Sequence, residues 1–411
     1  MKIKKSVVFI GIRQILNYNF KEFENKFDLR KILIIGKKNS LNINTFTFEE
    51  IYFVNESCDD SDILCEYNYQ EIHQIIDKEL LVNKNLTIIC QDEGNVLNTA
   101  RLRDEFDLTG PRFNEICIFR DKIKMKQRVS EYGIRVPKYE ILEFNYSKTY
   151  YERLTKEICN KLIIKPINSA ASNKVCLINN FEEFVQFLGF SEKDEYDYEV
   201  EEFIEGRMFH VDTVVHKKKV HFVGCCALNL PPIQFANGYP TSSFPLNEEE
   251  ANKVKNFGLK SIEALGFPDG IQHTEIFLSN NGEFVFLESG ARAPGLFVVE
   301  LYNSTYNINI LNLELSLVLN TTMDIDARTG NYLHAFSIVW PTKKGKLRRN
   351  ELPLLKGSYK LNWNHRDGEI LGIAQNALNI LVTIIVYNED YNNAKEDFDL
   401  LTGDFEMANF D

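Results

Sequence analysis

Two acidic residues, Glu275 and Glu288, lie in neighbouring segments that a hairpin would bring face to face. The segments Gln272–Leu278 and Glu283–Glu288 are rich in β-branched and aromatic residues, and Asn281-Gly282 between them is typical of a two-residue type I′ turn. With that turn, Glu275 lies directly opposite Glu288, and two like charges there are destabilising unless a cation lies between them. Carboxylate oxygens suit Mg²⁺, so the pair predicts a metal site; the alternative is an exposed hairpin face with solvated carboxylates.

Two residues near this hairpin are candidates for contact with a substrate. Arg292 follows Glu288 into a glycine-containing loop, and a guanidinium beside an anionic metal site indicates a phosphate or carboxylate ligand. His273 shares a strand face with Glu275, so it is either a substrate contact or a structural histidine. The predicted catalytic residues are therefore Arg292 and the two carboxylates.

A lysine at the end of an apolar run indicates a second anion site. Lys165 ends the run Leu162–Lys165, and an ammonium group is costly to bury without an anion, so we expect it to meet phosphate groups. The small-residue loop that follows can fold over phosphates and offers backbone N–H groups and the hydroxyls of Ser169 and Ser172.

The overall composition favours small ligands over nucleic acid or membrane. A chain of 411 residues suggests two or three domains, and 44% hydrophobic with 26% charged residues is typical of a soluble globular protein. The net charge of −12, with no long basic run, argues against a nucleic-acid partner. No run approaches the ~20 apolar residues of a membrane span. The eight cysteines form no CxxC pair, so we expect buried thiols in a reducing cytoplasm.

The amino-terminal part of the chain predicts a parallel sheet. Four short runs, Ser6–Ile10, Lys31–Ile35, Ile51–Val54 and Leu86–Cys90, are continuously apolar, which indicates strands buried on both faces with helices between them. Ligands bind beyond the carboxyl ends of such strands, so Glu93 is predicted to face a substrate; its alternative role is to cap the following helix.

The order of these motifs resembles the ATP-grasp ligases, whose last core hairpin carries two acidic Mg²⁺ ligands followed by an arginine. The similar segments are Asp121-Lys122, Lys165-Pro166, Glu201–Gly206, Glu275 and Glu288–Arg292. The resemblance implies that Lys122 binds nucleotide phosphates and that the backbone from Glu202 to Ile204, just after Glu201, hydrogen-bonds adenine. The candidate nucleotide-binding residues are then Lys122, Lys165, Ser169, Ser172, Glu201, Glu202, Phe203, Ile204 and His210.

Several positions depart from the pattern of that family. Ala171 and Lys174 stand where the family often has glycine, so a stiffer phosphate loop is expected. Met208 stands where many members have a ribose-binding acid; His210 or Asp212, on the same strand face, could substitute.

The resemblance also implies a fold of the α/β and α+β classes. An ATP-grasp fold would comprise an N-terminal doubly wound parallel-sheet domain, a small mobile lid and a larger C-terminal antiparallel-sheet domain. The expected boundaries are residues 1–112 for the first domain, 113–138 for linker helices, 139–204 for the lid, and 205–411 for the part with the metal hairpin and an α+β extension.

The function implied is that of an ADP-forming ligase using ATP with Mg²⁺, or Mn²⁺ in its place. The leading hypothesis is activation of an amino acid carboxylate as an acyl phosphate, followed by attack of an amine to form an amide or dipeptide. The alternatives are an amino acid–carrier-protein ligase that forms a thioester in antibiotic biosynthesis, and a non-catalytic nucleotide-binding module. The expected partners are small carboxylate and amine substrates, with an acyl carrier protein and a second copy of the chain in a homodimer as further options. The expected location is cytoplasmic.

Overall fold

The computed structural model describes residues 3–38, 48–59, 63–321 and 333–411. Its strands are β1 (Ile3–Ile10), β2 (Phe27–Gly36), β3 (Glu50–Val54), β4 (Glu56–Cys58), β5 (Cys65–Tyr67), β6 (Leu86–Cys90), β7 (Tyr139–Ile141), β8 (Leu162–Pro166), β9 (Cys176–Ile178), β10 (Tyr198–Glu202), β11 (Gly206–His216), β12 (Lys219–Ala227), β13 (Thr241–Pro245), β14 (Gly270–Ser279), β15 (Phe284–Gly290), β16 (His334–Pro341), β17 (Gly345–Arg349), β18 (Ser358–Trp363), β19 (Ile370–Leu371), β20 (Ile380–Asn388) and β21 (Ala408–Phe410). Its helices are α1 (Lys21–Glu24), α2 (Tyr69–Val82), α3 (Val96–Glu105), α4 (Phe113–Ile116), α5 (Lys122–Glu131), α6 (Lys148–Glu157), α7 (Phe181–Ser191), α8 (Glu248–Ala264), α9 (Val298–Tyr306), α10 (Ile310–Val318) and α11 (Tyr391–Thr402).

The amino-terminal sheet is parallel, with the strand order β3-β2-β1-β6. Its central strands are buried on both faces, which confirms the prediction made from their continuous apolar runs. The chain leaves β1 toward β2 and β3 on one side and returns to β6 on the other. The strand order therefore reverses between β1 and β6, and the loops after these two strands flank a crevice of the kind that binds ligands in parallel sheets.

A second, antiparallel sheet has the order β7-β10-β8-β9 and is covered on one face by α6 and α7. Tyr198 and Val200 of β10 point into the core beneath these helices. Because side chains alternate along a strand, Glu199 and Glu201 point to the opposite face, where the neighbouring strand β8 presents Lys165. The charged residues of this sheet therefore share one face.

The third sheet has eight strands in the order β15-β14-β11-β12-β13-β16-β20-β18. Phe209 and Val211 of β11 and Ile276 of β14 pack beneath α8. The alternate residues of these strands form the opposite face, where Met208 precedes His210 and Asp212, and where His210 pairs with Glu275. This face carries most of the polar groups of the candidate site.

The β14–β15 hairpin brings Glu275 opposite Glu288, as predicted, but its turn differs from the prediction. Ser279 pairs with Glu283 through the Ser279 N–H, so the loop holds three residues and ends at Gly282, which has a φ of 82°. This loop shifts the register by one residue, and a bulge between Glu275 and Ile276 shifts it back. The opposition of the two carboxylates results from the loop and the bulge together.

The cysteine prediction is wrong for one pair. Cys58 and Cys65 form a disulfide, because the antiparallel pairing of β4 with β5 brings them opposite each other. Cys225 and Cys226 are buried thiols, as expected, and the remaining four free cysteines are partly exposed. Among the described residues, no helix is both long and apolar enough to cross a membrane.

Candidate active site

A cleft lies between the second sheet and the β11–β14–β15 part of the third, with about 740 Å³ of empty space when the solvent at its mouth is included. Strands β8 and β10 form one wall, the β14–β15 hairpin forms the other, and the loop after β8 closes one end. Ten of the predicted site residues line it: Lys122, Lys165, Ser169, Ser172, Glu201, Glu202, Phe203, Ile204, Glu275 and Glu288. Glu93, His210, His273 and Arg292 are not among its lining residues.

Glu275 and Glu288 form a carboxylate pair at the inner end of this cleft. Their side chains retain 22% and 30% exposure, so a small ion can reach both. Burial opposes ionisation of Glu275, but hydrogen bonding and charge from His273, with the charges of Arg292 and Lys165, outweigh it and lower the pKa of Glu275. A pair of anionic oxygen donors beside an open cleft fits Mg²⁺, which keeps positions free for phosphate oxygens.

Two lysines approach the same oxygen of Glu288. The Nζ atoms of Lys122 and Lys165 lie 3.6 Å and 3.7 Å from its Oε2. Lys122 also donates to the backbone oxygen of Ser169 at 2.8 Å, which ties the start of α5 to the loop after β8. Burial lowers the pKa of Lys122, with Glu288 acting in the opposite direction. Two cations therefore lie beside the carboxylate pair, where phosphate groups could be neutralised.

Lys165 belongs to a buried quartet with Lys126, Glu199 and Glu201. Lys165 Nζ lies 2.7 Å from Glu201 Oε1 and 3.7 Å from Glu199 Oε1. Lys126, which is fully buried, lies 2.7 Å from Glu199 Oε1 and also donates to Glu201. The carboxylates outweigh the desolvation of Lys165 and raise its pKa. The burial of Lys165 therefore does not by itself require a nucleotide, because the protein already supplies two anions.

The loop after β8 contains three non-glycine residues with positive φ. Ala171, Ser172 and Lys174 have φ values of 54°, 56° and 54°, a region that favours glycine. Lys174 is held there by Asp194 at 2.8 Å, and Ser169 Oγ accepts from Asn173 at 3.2 Å. Ala171 and Lys174 stand where glycine is frequent in the ATP-grasp ligases. Glycine would adopt the backbone conformation of both positions more easily.

The other end of the cleft is apolar and offers one backbone donor. The Glu202 N–H donates to Lys138 O at 2.8 Å and the Phe203 N–H to Lys161 O at 3.3 Å, whereas the Ile204 N–H has no protein acceptor among the described residues. Sequence reasoning missed the surrounding apolar side chains, which carry no polar signal; they are Ile163, Met208, Ile233, Phe277 and Leu287. A flat heteroaromatic ring could stack among them and accept a hydrogen bond from the Ile204 N–H.

His210 does not reach the cleft, which corrects its assignment to a ribose. One ring nitrogen, Nδ1, lies 2.7 Å from Asp212 Oδ2 and the other lies 3.1 Å from Ser243 Oγ, so both are engaged. Asp212 cannot substitute either, because it is fully buried and binds His210, His273 and Tyr302.

His273 bridges this buried Asp212 to the carboxylate pair of Glu275 and Glu288. Its Nδ1 lies 2.7 Å from Asp212 Oδ1 and its Nε2 lies 3.5 Å from Glu275 Oε1. Burial disfavours the imidazolium, but the Asp212 carboxylate outweighs it and raises the pKa of His273 to about 9. The structural alternative for His273 therefore fits better than a direct substrate contact.

Glu93 pairs with arginines instead of facing a substrate directly or capping a helix. Its Oε1 accepts from Arg120 at 2.6 Å and its Oε2 from Arg292 at 2.5 Å. The turn before α3 is instead closed by Asp92 Oδ1, which accepts from the Gly94 N–H at 3.1 Å. Arg292 thus lies beside the end of β6, which links the metal hairpin to the crevice of the parallel sheet.

The comparison with known proteins agrees with this geometry. A sequence profile of the ATP-grasp domain matches residues 119–292, which span the start of α5, the loop after β8, the metal hairpin and Arg292. The chain contains an ATP-grasp domain.

Curated relatives that match part of the chain include ligases. The L-arginine-specific L-amino acid ligase of Bacillus subtilis is 22% identical over 307 residues, which cover 71% of this chain and 72% of that enzyme. A D-alanine–D-alanine ligase of Prochlorococcus marinus is 25% identical over 213 residues, or 49% of this chain and 61% of that enzyme.

The similarity to known structures extends beyond residues 119–292 to the full chain. The crystal structure of an L-amino acid ligase from Bacillus licheniformis matches with a TM-score of 0.75 over 100% of this chain and 99% of that one, at 16% identity. At that identity the likeness concerns the fold alone. It confirms the predicted ATP-grasp fold, with a parallel amino-terminal sheet and a large antiparallel sheet.

Proposed function

We propose that the protein is an ADP-forming ligase that activates the carboxylate of an amino acid as an acyl phosphate and joins it to an amine. The observation that carries the proposal is the opposition of Glu275 and Glu288, with the ammonium groups of Lys122 and Lys165 at 3.6 Å and 3.7 Å from Glu288. Such a set can hold the metal-bound end of ATP. The ligases among the relatives support amino acids as the substrate class.

The cleft would orient ATP along its length. Adenine would lie among the apolar residues and accept from the Ile204 N–H, and Lys122 with the loop of Ser169 and Ser172 would hold the phosphates. Mg²⁺ held by Glu275 and Glu288 would neutralise the charge on the β- and γ-phosphates. In this arrangement the γ-phosphate would point toward Arg292 and the crevice of the parallel sheet.

The chemistry would occur in two steps. A carboxylate oxygen of the acid attacks the γ-phosphorus, the bond from that phosphorus to the ADP oxygen breaks, and ADP leaves. The amine nitrogen then attacks the acyl carbon, loses a proton, and phosphate leaves with the oxygen that came from the acid. Arg292 donates a hydrogen bond from Nε to Glu93 and another from Nη1 to Ala293 O. Its Nη2 is left to bind the carboxylate of the substrate or the oxyanion that forms in the second step.

Hydroxylamine tests this proposal without knowledge of the natural acceptor, because it converts an acyl phosphate into a stable hydroxamate. Single amino acids, including L-arginine and D-alanine, would be incubated with ATP, Mg²⁺ and hydroxylamine, and nucleotides would be separated by chromatography. We expect hydroxamate, ADP and phosphate in equal amounts. AMP with pyrophosphate would contradict the mechanism, and absence of hydroxamate with every acid would contradict the proposed substrate class.

A variant pair on the same hairpin ties the reaction to the metal ligands. Glu288→Gln should abolish hydroxamate formation, whereas Glu283→Gln, in the exposed turn, should leave it unchanged. Acyl transfer to a carrier-protein thiol is assayed in the same way, with the carrier protein in place of hydroxylamine.

A further inference from the structure

We propose that the crevice beyond β1 and β6 binds a second carboxylate of the acyl donor, so that the preferred donor is an acidic amino acid. The inference rests on the proposed function and specifies its substrate. The residues that carry it are Arg13, Arg120 and Arg292 with Glu93, which we call the arginine cluster.

Both carboxylate oxygens of Glu93 accept hydrogen bonds from members of the cluster. Arg120 and Arg292 take one carboxylate oxygen each, and the side chains of Glu93, Arg120 and Arg292 are 9%, 12% and 13% exposed. Burial opposes its ionisation, yet the charges of Arg292, Arg120 and Arg13 hold the pKa of Glu93 well below its usual range. The negative charge of Glu93 is therefore already offset by guanidinium groups, which makes it a poor partner for the ammonium group of a substrate.

Arg13 is the member of the cluster without a carboxylate contact among the described residues. Its guanidinium donates a long hydrogen bond from Nη2 to Ala293 O, at 3.4 Å. The next residue fixes its position, because Gln14 donates to Pro294 O at 2.6 Å. Burial and the neighbouring charge of Arg292 lower the pKa of Arg13 to about 9. Its guanidinium is thus held beside another cation at the carboxyl end of β1.

The guanidinium groups outnumber the carboxylates at the Arg13 end of this crevice. Arg13, Arg120 and Arg292 meet the carboxylates of Glu93 and Asp92, and the next carboxylate near Arg292, Glu275, belongs to the pair assigned to the metal. A partly buried cation without a counter-ion is unfavourable, and a ligand carboxylate that binds a guanidinium relieves that cost. An anionic ligand is therefore favoured over a cationic one.

Two glycines lie against the arginine cluster at the reversal of strand order. A Cβ atom at Gly290 would contact Glu93 Oε2 at 3.4 Å, an ordinary van der Waals distance, and one at Gly295 would contact Arg13 Nη2 at a tighter 3.3 Å, so a larger side chain at either position would crowd the cluster. A donor whose first carboxylate lies at Arg292, near the metal pair, would extend along the cluster toward Arg13. An acidic side chain would place its second carboxylate there.

The test compares isosteric acids in the hydroxamate assay. For the wild-type protein we expect kcat/KM to be about tenfold to 100-fold higher for glutamate than for glutamine, as for a hydrogen bond to a charged group, and to be low for L-arginine. Arg13→Gln should remove this preference while leaving KM for ATP unchanged, and Arg13→Lys should retain part of it. Arg366→Gln, an exposed arginine far along the chain, should keep the wild-type preference.

Equal use of glutamate and glutamine by the wild-type protein, or an unchanged preference in Arg13→Gln, would overturn the inference and leave the proposed function intact. Calorimetric titration of the protein with glutamate and with glutamine, in the presence of ADP and Mg²⁺, makes the same comparison without turnover. Binding of glutamate that depends on Arg13, in a protein that forms no hydroxamate, would contradict the proposed function and, with it, the assignment of glutamate as the acyl donor. Failure of both ligands to bind would overturn the inference.

Discussion

His273 Nε2 lies 3.5 Å from Glu275 Oε1, while its Nδ1 lies 2.7 Å from the fully buried Asp212. The imidazole therefore links a fixed anion in the core to one half of the carboxylate pair. Tyr302, which donates to Asp212 at 2.5 Å, fixes the other end of this link. Outer contacts of this kind orient metal ligands and adjust their basicity.

This link predicts weaker metal binding when His273 is replaced. His273→Gln should raise the Mn²⁺ dissociation constant about tenfold, since loss of an outer contact to a metal ligand commonly costs that much. Electron paramagnetic resonance of Mn²⁺ with ADP measures it directly. His221→Gln, an exposed control on β12, should bind Mn²⁺ as the wild type does. An unaltered dissociation constant in His273→Gln would remove the role assigned to this contact.

The buried quartet predicts a large loss of stability when one lysine is removed. Lys126→Met leaves Glu199 and Glu201 with Lys165 alone, and breaking a buried ion pair in this way costs about 3–5 kcal/mol of unfolding free energy. Urea denaturation measures the loss. Adding Glu199→Gln to Lys126→Met should restore much of it, because the unpaired charge disappears.

A surface pair provides the control for this experiment. Lys253 binds Glu249 at 2.8 Å on the exposed face of α8, so Lys253→Met should leave the urea midpoint unchanged. If Lys126→Met unfolds at the same urea concentration as Lys253→Met, the quartet does not stabilise the fold.

The sequence predicted the main strands of the site because their patterns are local. The facing of Glu275 and Glu288 was predicted from a two-residue turn, yet it depends on a three-residue loop and a bulge near Leu287. A bulge leaves no local signature of the kind that an Asn-Gly turn does. The predicted pair was thus right although the predicted turn was wrong.

Other features of the site depend on contacts between distant segments. Lys126 follows Lys122 by four residues on one helix face, and Glu199 alternates with Glu201, so these two signals could have indicated the quartet. The pairing of His210 with Ser243, by contrast, joins strands whose order in the sheet cannot be derived from alternation. The same holds for the Cys58–Cys65 disulfide, which requires β4 to pair with β5.

Glu314 predicts a pH dependence of stability. Burial raises its pKa from the ordinary 4.5 to about 7, although Gln91 donates to it at 2.6 Å. The folded protein therefore binds this proton more tightly than the unfolded chain, so its stabilising effect is complete below about pH 4.5 and is lost as the pH rises through about 7. Glu314→Gln should be more stable than the wild type at alkaline pH, by about 3 kcal/mol, and should lose this advantage in acid.

Urea denaturation across this pH range checks the prediction, with Glu389→Gln as the exposed control. A constant difference between Glu314→Gln and the wild type at every pH would show that Glu314 does not titrate in this window.

Lys122 predicts a selective loss of phosphate binding. Its Nζ faces Glu288 and the loop after β8, whereas the apolar end of the cleft is formed by other residues. Lys122→Met should therefore weaken binding of ATP by about tenfold or more and leave adenosine binding unchanged. Calorimetry with both ligands measures the two effects, and equal losses would place Lys122 outside the phosphate site.

The central claim is that the acid is activated by transfer of the γ-phosphoryl group to its carboxylate. The best acid from the hydroxamate assay, labelled with ¹⁸O in that carboxylate, would be turned over with unlabelled ATP, and the phosphate analysed by mass spectrometry. We predict ADP together with phosphate that carries one ¹⁸O atom per molecule of hydroxamate formed, and no label transfer in Glu288→Gln. Unlabelled phosphate, or label found in AMP, would contradict the account.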